Sequence, residues 1–211
     1  MTQTAKEIIR TGRKFAQVLA GARQVFMADG FSGASVDDIA KAAGVSKATL
    51  YSYFPDKRLL FIEVANNECN RQADEAVELT NFDRPPQEML TLAARKMIRI
   101  LTSPFSQRVF RICVAEADRF PELGQAFYQS GPMLGRARMS EYLQCACEKG
   151  EFVIEDMDLA ADQFIELCKT DVFARMVFGI QTEFSDAEMD RIADGAVEMF
   201  MARYSTKQSC C

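Results

Sequence analysis

The chain contains no histidine and no tryptophan, and the lack of histidine removes a whole class of chemistry. No Ser-His-Asp or Cys-His arrangement can be built, and the commonest general base at neutral pH is missing. The spacing of Cys145 and Cys147 is not that of a zinc site, and no histidine is available to complete one. A P-loop and a dinucleotide-binding glycine pattern are also missing. The sequence therefore predicts a protein that is not an enzyme and needs no metal or cofactor.

Long hydrophobic runs are absent as well. No stretch approaches the roughly 20 consecutive apolar residues of a membrane-spanning helix, and the polar N-terminus does not resemble a signal peptide. The seven cysteines are odd in number and lie mostly within helical patterns, so we interpret them as reduced thiols. These features predict a cytoplasmic protein with no membrane partner.

The net charge of −5 argues at first against a nucleic-acid partner, but the charge is unevenly distributed. Residues 1–58 hold nine Lys/Arg and five Asp/Glu, a formal charge of +4, whereas residues 59–211 hold 16 and 25, a charge of −9. Phosphate contacts need local cations, so the first segment remains compatible with DNA binding. A basic stretch at its start either reaches DNA as an arm or is an ordinary solvated tail; it comprises Lys6, Arg10, Arg13 and Lys14.

Residues 35–57 have the pattern of two short helices joined by a tight turn. Ser35 fits an N-cap with Asp38 in the first turn, and Gly44 supplies the left-handed backbone that ends a helix. Ser46 can cap the second helix, and Pro55 stops it. This arrangement is typical of a helix-turn-helix, whose second helix is sized for the major groove.

The segment from about Lys14 to Phe61 resembles the TetR family of bacterial transcriptional repressors. The resemblance is carried by Ile39-Ala40, Ala43-Gly44-Val45-Ser46, Leu50-Tyr51-Ser52-Tyr53-Phe54 and Lys57. It implies that the N-terminal part binds a double-stranded DNA operator and that the remainder is an all-helical ligand-binding and dimerisation domain. It does not imply a particular ligand.

The resemblance also assigns roles to single residues. Tyr51 and Lys57 match phosphate-contacting positions, and the hydroxyls of Ser46 and Ser52 are placed to add phosphate bonds. Positions that face base edges are matched by Lys47, Ala48, Thr49 and Tyr53. Taken singly, each of these is an ordinary exposed helix residue.

Hydrophobic periodicity predicts an all-α fold, with a three-helix DNA-binding head and a C-terminal helical bundle. We place the head at residues 1–58, the ligand-binding and dimerisation domain at 59–205, and a disordered tail at 206–211. A first helix is expected to end near Gly30, and a long helix to run from Asp56 towards Leu79. A broken stretch is expected between Pro121 and Gly135, and a continuous helix from near Asp158 to Val177.

The second region is crowded with aromatic and sulfur-containing side chains, which are typical of either an adaptable apolar pocket or a simple helical core. The expected breaks between Pro121 and Gly135 favour a pocket, because broken helices leave space in a bundle. The candidate effector-binding residues are Phe110, Arg111, Cys113, Phe127, Tyr128, Tyr142, Phe164, Cys168, Phe173 and Met176. Arg111 could anchor an anionic effector, pair with Glu116, or face water.

One short helix-turn-helix offers few DNA contacts, so we expect a homodimer whose two-fold symmetry doubles them. The last helix begins with a capping box at Ser185 and Glu188. The dimer contact is predicted on its apolar stripe, at Met189, Ile192, Ala193, Ala196, Val197 and Phe200. A small apolar or aromatic effector would then change the separation of the two heads and release the repressor from its operator. The alternatives are an apolar-ligand-binding or interaction protein that lacks DNA binding, and a redox-triggered regulator.

Overall fold

A computed structural model describes residues 12–77 and 84–206, and these residues are almost entirely helical, as predicted. The helices are α1 (Arg13–Gly33), α2 (Val36–Ala43), α3 (Lys47–Tyr53), α4 (Lys57–Val77), α5 (Pro86–Thr102), α6 (Pro104–Ala115), α7 (Pro121–Ser130), α8 (Pro132–Glu148), α9 (Met157–Cys168), α10 (Val172–Val177) and α11 (Asp186–Tyr204). The described β structure is a single isolated bridge between Phe152 and Ser205. No described helix is long and apolar enough to cross a membrane.

The first compact unit, here called the head unit, comprises the described residues up to Cys69 together with Arg108–Phe127. Its core contains aromatic rings from α1 and α4. Phe26 and Phe61 meet edge to face with centroids 5.2 Å apart, and Phe31 lies 5.5 Å from Phe61. Each of these rings is at most 4% exposed, which is worth about 1.5–3 kcal/mol of transfer free energy per side chain.

Helices α1 and α2 approach each other at Gly21. A Cβ atom on Gly21 would lie 2.5 Å from the backbone nitrogen of Ala43, closer than real Cβ contacts allow. Only glycine fits this position without a shift of one helix. The backbone of α1 therefore sets the place of α2 directly.

The second compact unit, here called the body unit, comprises Asn70–Gln107 and the described residues from Tyr128 onward. Helices α5, α8, α9 and α11 bury their apolar stripes against one another around one core. Phe164 and Phe200, both at most 1% exposed, meet edge to face at 5.3 Å.

The element boundaries differ from expectation in two places. The stretch from Pro121 to Gly135 is not broken throughout, because α7 occupies Pro121–Ser130 and α8 starts at Pro132. The prolines stand at helix starts, where their missing N–H costs nothing. Conversely, the continuous helix expected from Asp158 to Val177 is divided into α9 and α10 at Asp171, whose φ is 65°.

The predicted boundary after residue 58 falls in the first turn of α4, whereas the head unit continues to Cys69 and takes in residues 108–127. The predicted disordered tail lies outside the described residues except for Thr206, and so do Lys6 and Arg10 of the basic stretch.

Candidate functional site

The turn between α2 and α3 is fixed by local hydrogen bonds. The backbone N–H of Asp38 donates to Ser35 Oγ at 3.0 Å, which caps α2. Gly44 ends α2 with φ 62° and ψ 33°. The backbone N–H of Thr49 donates to Ser46 Oγ at 3.1 Å, which caps α3. Both predicted caps are therefore present, and they account for two helices that would be too short to form alone.

Helix α3 packs on the head unit through one face and leaves the other exposed. Leu50 and Phe54 are 2% and 1% exposed, and Phe54 stacks on Phe15 with centroids 5.6 Å apart. The side chains of Lys47, Ala48, Tyr51 and Ser52 are exposed, while Thr49 and Tyr53 are half-buried. The structure thus brings the predicted DNA-facing residues of α3 together on one helix, with Tyr53 turned partly towards Phe15 at 6.0 Å.

Two of the predicted phosphate-binding hydroxyls already have local partners. Ser46 Oγ lies 2.8 Å from Thr49 Oγ1, and Ser52 donates to the backbone oxygen of Thr49 at 2.6 Å. A phosphate contact by either serine would have to share or replace these bonds. Their assignment to phosphates stays a prediction.

Lys47, at the start of α3, forms an ion pair with Asp37 of α2. Its Nζ lies 2.8 Å from Oδ1 and donates to Oδ2 at 3.1 Å. The hydrogen bond to Asp37 and the charge of that carboxylate raise the pKa of Lys47. Sequence reasoning gave Asp37 no role, because an acid in the first turn of α2 is explained by the helix dipole alone. The signal available in the sequence is the spacing of Asp37 and Lys47, two opposite charges ten residues apart on either side of a tight turn.

Lys57, at the start of α4, is held by the end of α1. Its Nζ donates to the backbone oxygens of Phe31 and Ala34 at 2.7 and 2.9 Å, and lies 4.6 Å from the centre of the Phe31 ring. Desolvation of this half-buried ammonium lowers its pKa. Lys57 therefore joins α4 to α1. A phosphate contact, if made, would use its third N–H.

Arg13 and Lys14 open α1 with exposed side chains. They fit a cationic contact to the DNA backbone, and that role stays a prediction.

Four of the ten candidate effector-binding residues belong to the head unit. Phe110 and Phe127 are half-buried, with their rings 6.0 Å apart, and Arg111 is exposed. Cys113 is buried, and its thiol donates to the backbone oxygen of Leu123 at 3.6 Å. An aromatic pair beside an exposed arginine suits an aromatic or acidic molecule.

The other six belong to the body unit. Phe164, Cys168 and Met176 are at most 3% exposed and pack among the apolar side chains of their unit. Tyr142 and Phe173 are half-buried, and Tyr128 is 48% exposed with its hydroxyl 3.3 Å from Arg136 Nη2. These residues provide apolar surroundings, and a role in effector binding stays a prediction for all ten.

The predicted dimer contacts lie inside the subunit. Ile192, Ala193, Ala196, Val197 and Phe200 are at most 6% exposed and form part of the body core, and Met189 packs against that core. Packing within one chain disfavours these side chains as contacts to a second chain, and their assignment to the dimer interface stays a prediction. The apolar period showed that this face of α11 is buried, but not by which chain.

The two buried cysteines, Cys113 and Cys168, are poorly suited to redox sensing. Burial raises the pKa of both Cys113 and Cys168 to about 12, so almost no thiolate is present at neutral pH. Among the described residues there is no group of three or more potential ligands that could hold a metal ion.

Two families of known proteins match this chain. Residues 18–64 match the family described as bacterial regulatory proteins, tetR family. Residues 88–206, more than half of the chain, match the AefR-like transcriptional repressor C-terminal domain. Both families consist of transcriptional regulators, which are not enzymes, so the prediction of a non-enzymatic protein is confirmed.

Solved structures match over nearly the full length. A TetR-family transcriptional regulator from Mesorhizobium loti is 30% identical with a TM-score of 0.86, and the match covers 92% of this chain and 98% of that one. The flavonoid-responsive regulator FrrA is 31% identical with a TM-score of 0.74, covering 93% and 100%.

Curated relatives match over shorter segments. The regulator EthR of Mycolicibacterium smegmatis is 36% identical over 93 residues, which are 43% of this chain and 40% of the relative. The repressor AcnR of Corynebacterium efficiens is 34% identical over 62 residues, 29% of this chain and 33% of the relative. The matched segment thus spans no more than two fifths of either curated relative.

Proposed function

Because the chain belongs to the TetR family of bacterial transcriptional regulators, we propose that it is a cytoplasmic homodimeric repressor released from its operator by a small aromatic or apolar effector. The observation that carries the proposal is the exposed polar face of α3, held on the head unit by Leu50 and Phe54. The main role of phosphate contacts is to position such a helix, while base contacts supply specificity. Tyr51, Arg13 and Lys14 are proposed for the phosphates, and Lys47 and Thr49 for the bases.

The dimer is proposed to form through the exposed faces of α9 and α11. Between these helices lies a groove of about 410 Å³ whose lining includes Leu167, Met199 and Tyr204. Leu159 and Met199 are 51% and 62% exposed, although both are large and apolar. A two-fold interface brings the same face of both subunits together, and exposed apolar side chains on that face could pack against their own copies.

The effector is proposed to be aromatic. Half-buried Phe110 and Phe127 offer ring faces 6.0 Å apart within the head unit, and offset or edge contacts to aromatic ligands suit such rings. The 31% identical relative FrrA is described as flavonoid-responsive, which favours a polyphenol over a fatty acid as the first compound to try.

Release would follow from the packing of α6 and α7 within the head unit. Arg58 Nη1 donates to Glu122 at 2.7 Å, and the rings of Phe31 and Phe120 lie 5.6 Å apart. An effector that displaces Phe110 or Phe127 therefore acts on the unit that carries α3. Release requires tighter binding to the DNA-incompetent arrangement, with a coupling free energy typically of about 1–3 kcal/mol.

The proposal is tested by selecting DNA with the purified protein and then releasing it. Fragments of the source genome retained by the protein would be titrated with naringenin, benzoate and octanoate while binding is followed by fluorescence anisotropy. We expect two-fold symmetric fragments to be retained and naringenin to release them at the lowest concentration.

Phe110→Ala should raise the naringenin concentration at half-release by about tenfold or more, since it removes an aromatic contact. The matched control is Val114→Ala, on the same helix at a side chain that is 58% exposed. Equal naringenin concentrations at half-release for wild type and Phe110→Ala would show that the effector binds elsewhere. Failure to retain any symmetric DNA fragment would contradict the proposal that the protein is a repressor.

A further inference from the structure

The ion pair between Asp37 and Lys47 joins the second residue of α2 to the first residue of α3. Both side chains are solvent-exposed, 72% for Asp37 and 52% for Lys47, so the pair lies on the surface of the head unit and not in its core. Exposed ion pairs contribute little to folding. Because Lys47 lies on α3, the helix proposed to read DNA, the pair is placed where it can contact DNA instead.

A carboxylate on a DNA-facing surface has to find a hydrogen-bond donor there. Phosphates offer only acceptors and repel it, so a contact from Lys47 to the DNA backbone would bring the paired carboxylate close to like charge. In the major groove the donors are the exocyclic amines of cytosine and adenine. A base pair can therefore satisfy the carboxylate where the backbone cannot.

The spacing of the ion pair matches the edge of a base pair. Lys47 Nζ and Asp37 Oδ1 are 2.8 Å apart. Guanine O6 and cytosine N4 are hydrogen-bonded to each other, and so lie about 2.9 Å apart, with O6 an acceptor and N4 a donor towards the groove. An ammonium placed on O6 would therefore put its paired carboxylate within reach of N4, and neither charge would lose its partner.

We infer that the Asp37–Lys47 pair reads one G·C base pair in each half-site, with guanine beside Lys47 and cytosine beside Asp37, and that Asp37 is a specificity-determining residue. The inference rests on the proposed binding of DNA through α3. In the inverted C·G pair, the donor N4 of cytosine would face the ammonium of Lys47, and the acceptor O6 of guanine would face the carboxylate of Asp37. A T·A pair with thymine beside Lys47 keeps the polarity but lacks the second acceptor, N7, that guanine offers to lysine.

The test selects binding sites from a random double-stranded DNA library with wild type, Asp37→Asn and Lys47→Gln. Wild type should show a G·C preference at one position of each half-site, with about tenfold or greater loss of affinity when that pair is inverted. Both variants should lose this discrimination while keeping the rest of the motif. Asp37→Asn should also bind random duplex more tightly, with a salt slope about one unit steeper, because Lys47 becomes available to phosphates.

Asp29→Asn is the matched control, since it makes the same charge change at an exposed residue of α1 that forms no ion pair with any described residue. It should leave the motif unchanged. Helical circular dichroism and thermal melting of each variant verify the fold.

Retention of the wild-type base preference by Asp37→Asn would overturn the inference, even if its affinity rose. A uniform gain of affinity on all duplexes, equal to that of Asp29→Asn, would show that Asp37 acts through net charge alone and would overturn it too. If wild type selects no motif, the proposed DNA-binding function fails first, which separates the two failures.

Discussion

The head unit and the body unit both bury apolar helical stripes, yet they use their remaining surface differently. In the head unit the short helices α2 and α3 are fixed by serine caps, and the polar side chains left over on α3 form the surface proposed to read DNA. In the body unit long helices bury one another, and the surface left over is partly apolar, at Leu159 and Met199. Hydrophobic periodicity therefore identifies the core of both units, while the surfaces proposed for DNA binding and dimerisation lie outside the apolar stripes.

The largest expected effect separates the buried face of α11 from its exposed face. Ile192→Glu places a charge in the body core, where an unpaired carboxylate costs several kcal/mol, so helical circular dichroism should be lost or the protein should aggregate. Met199→Glu changes a side chain that is 62% exposed, and should leave the helical signal intact while sedimentation velocity shows a monomer.

A folded dimer of Ile192→Glu would contradict the assignment of that residue to the core. A Met199→Glu dimer as stable as wild type would place the interface on another surface. Both outcomes bear on the comparison between the two faces of one helix.

A smaller effect is expected on the free energy of unfolding when either of two helical glycines is replaced by alanine. Gly21→Ala brings a methyl group to 2.5 Å from the backbone of Ala43 and should reduce the free energy of unfolding by about 1–3 kcal/mol, with matching loss of DNA binding as α2 shifts. Gly195→Ala on α11 meets no atom within 4 Å and should raise stability by about 0.5–1 kcal/mol. Urea unfolding of both variants measures the contrast, and equal destabilisation would show that close packing at Gly21 is not the cause.

The sequence predicts the helix-turn-helix well because its determinants are local. Ser35, Gly44 and Ser46 each act within four residues, and the structure has all three in their predicted roles. The misplaced break between Pro121 and Gly135 has a local cause too, since proline at a helix start and proline inside a loop look alike in sequence.

What the sequence could not supply depends on contacts between distant residues. The stripe through Ile192 and Phe200 is the same whether it packs on α5 and α9 or on a second chain. The ion pair of Asp37 with Lys47 depends on the angle between α2 and α3, which are joined by a turn at Gly44. The bonds from Lys57 to Phe31 and Ala34 span more than 20 residues.

The smallest expected effect is on the pH dependence of stability, and it involves one carboxylate from each unit. Hydrogen bonds from Arg58 lower the pKa of Asp56, and the backbone N–H of Ser185 lowers that of Glu188. A lowered carboxyl pKa adds stability that is present above the ordinary value, 3.8 for Asp and 4.5 for Glu, and is lost as the pH falls through the lowered value. Asp56→Asn and Glu188→Gln should therefore lose less Tm than wild type between pH 7 and about pH 3, by less than about 5 °C each. An equal loss of Tm between pH 7 and about pH 3 in wild type and both variants would show that neither carboxylate stabilises the fold in this way.

We propose that the exposed face of α3 binds a specific operator and that an aromatic effector releases the protein from it. The most direct test is fluorescence anisotropy of the wild-type protein with a duplex selected from its source genome, titrated with naringenin against a scrambled duplex. We expect tight, salt-sensitive binding to the selected duplex, at least a thousandfold weaker binding to the scrambled one, and full release by the flavonoid. Equal affinity for both duplexes, or binding that none of naringenin, benzoate and octanoate alters, would contradict it.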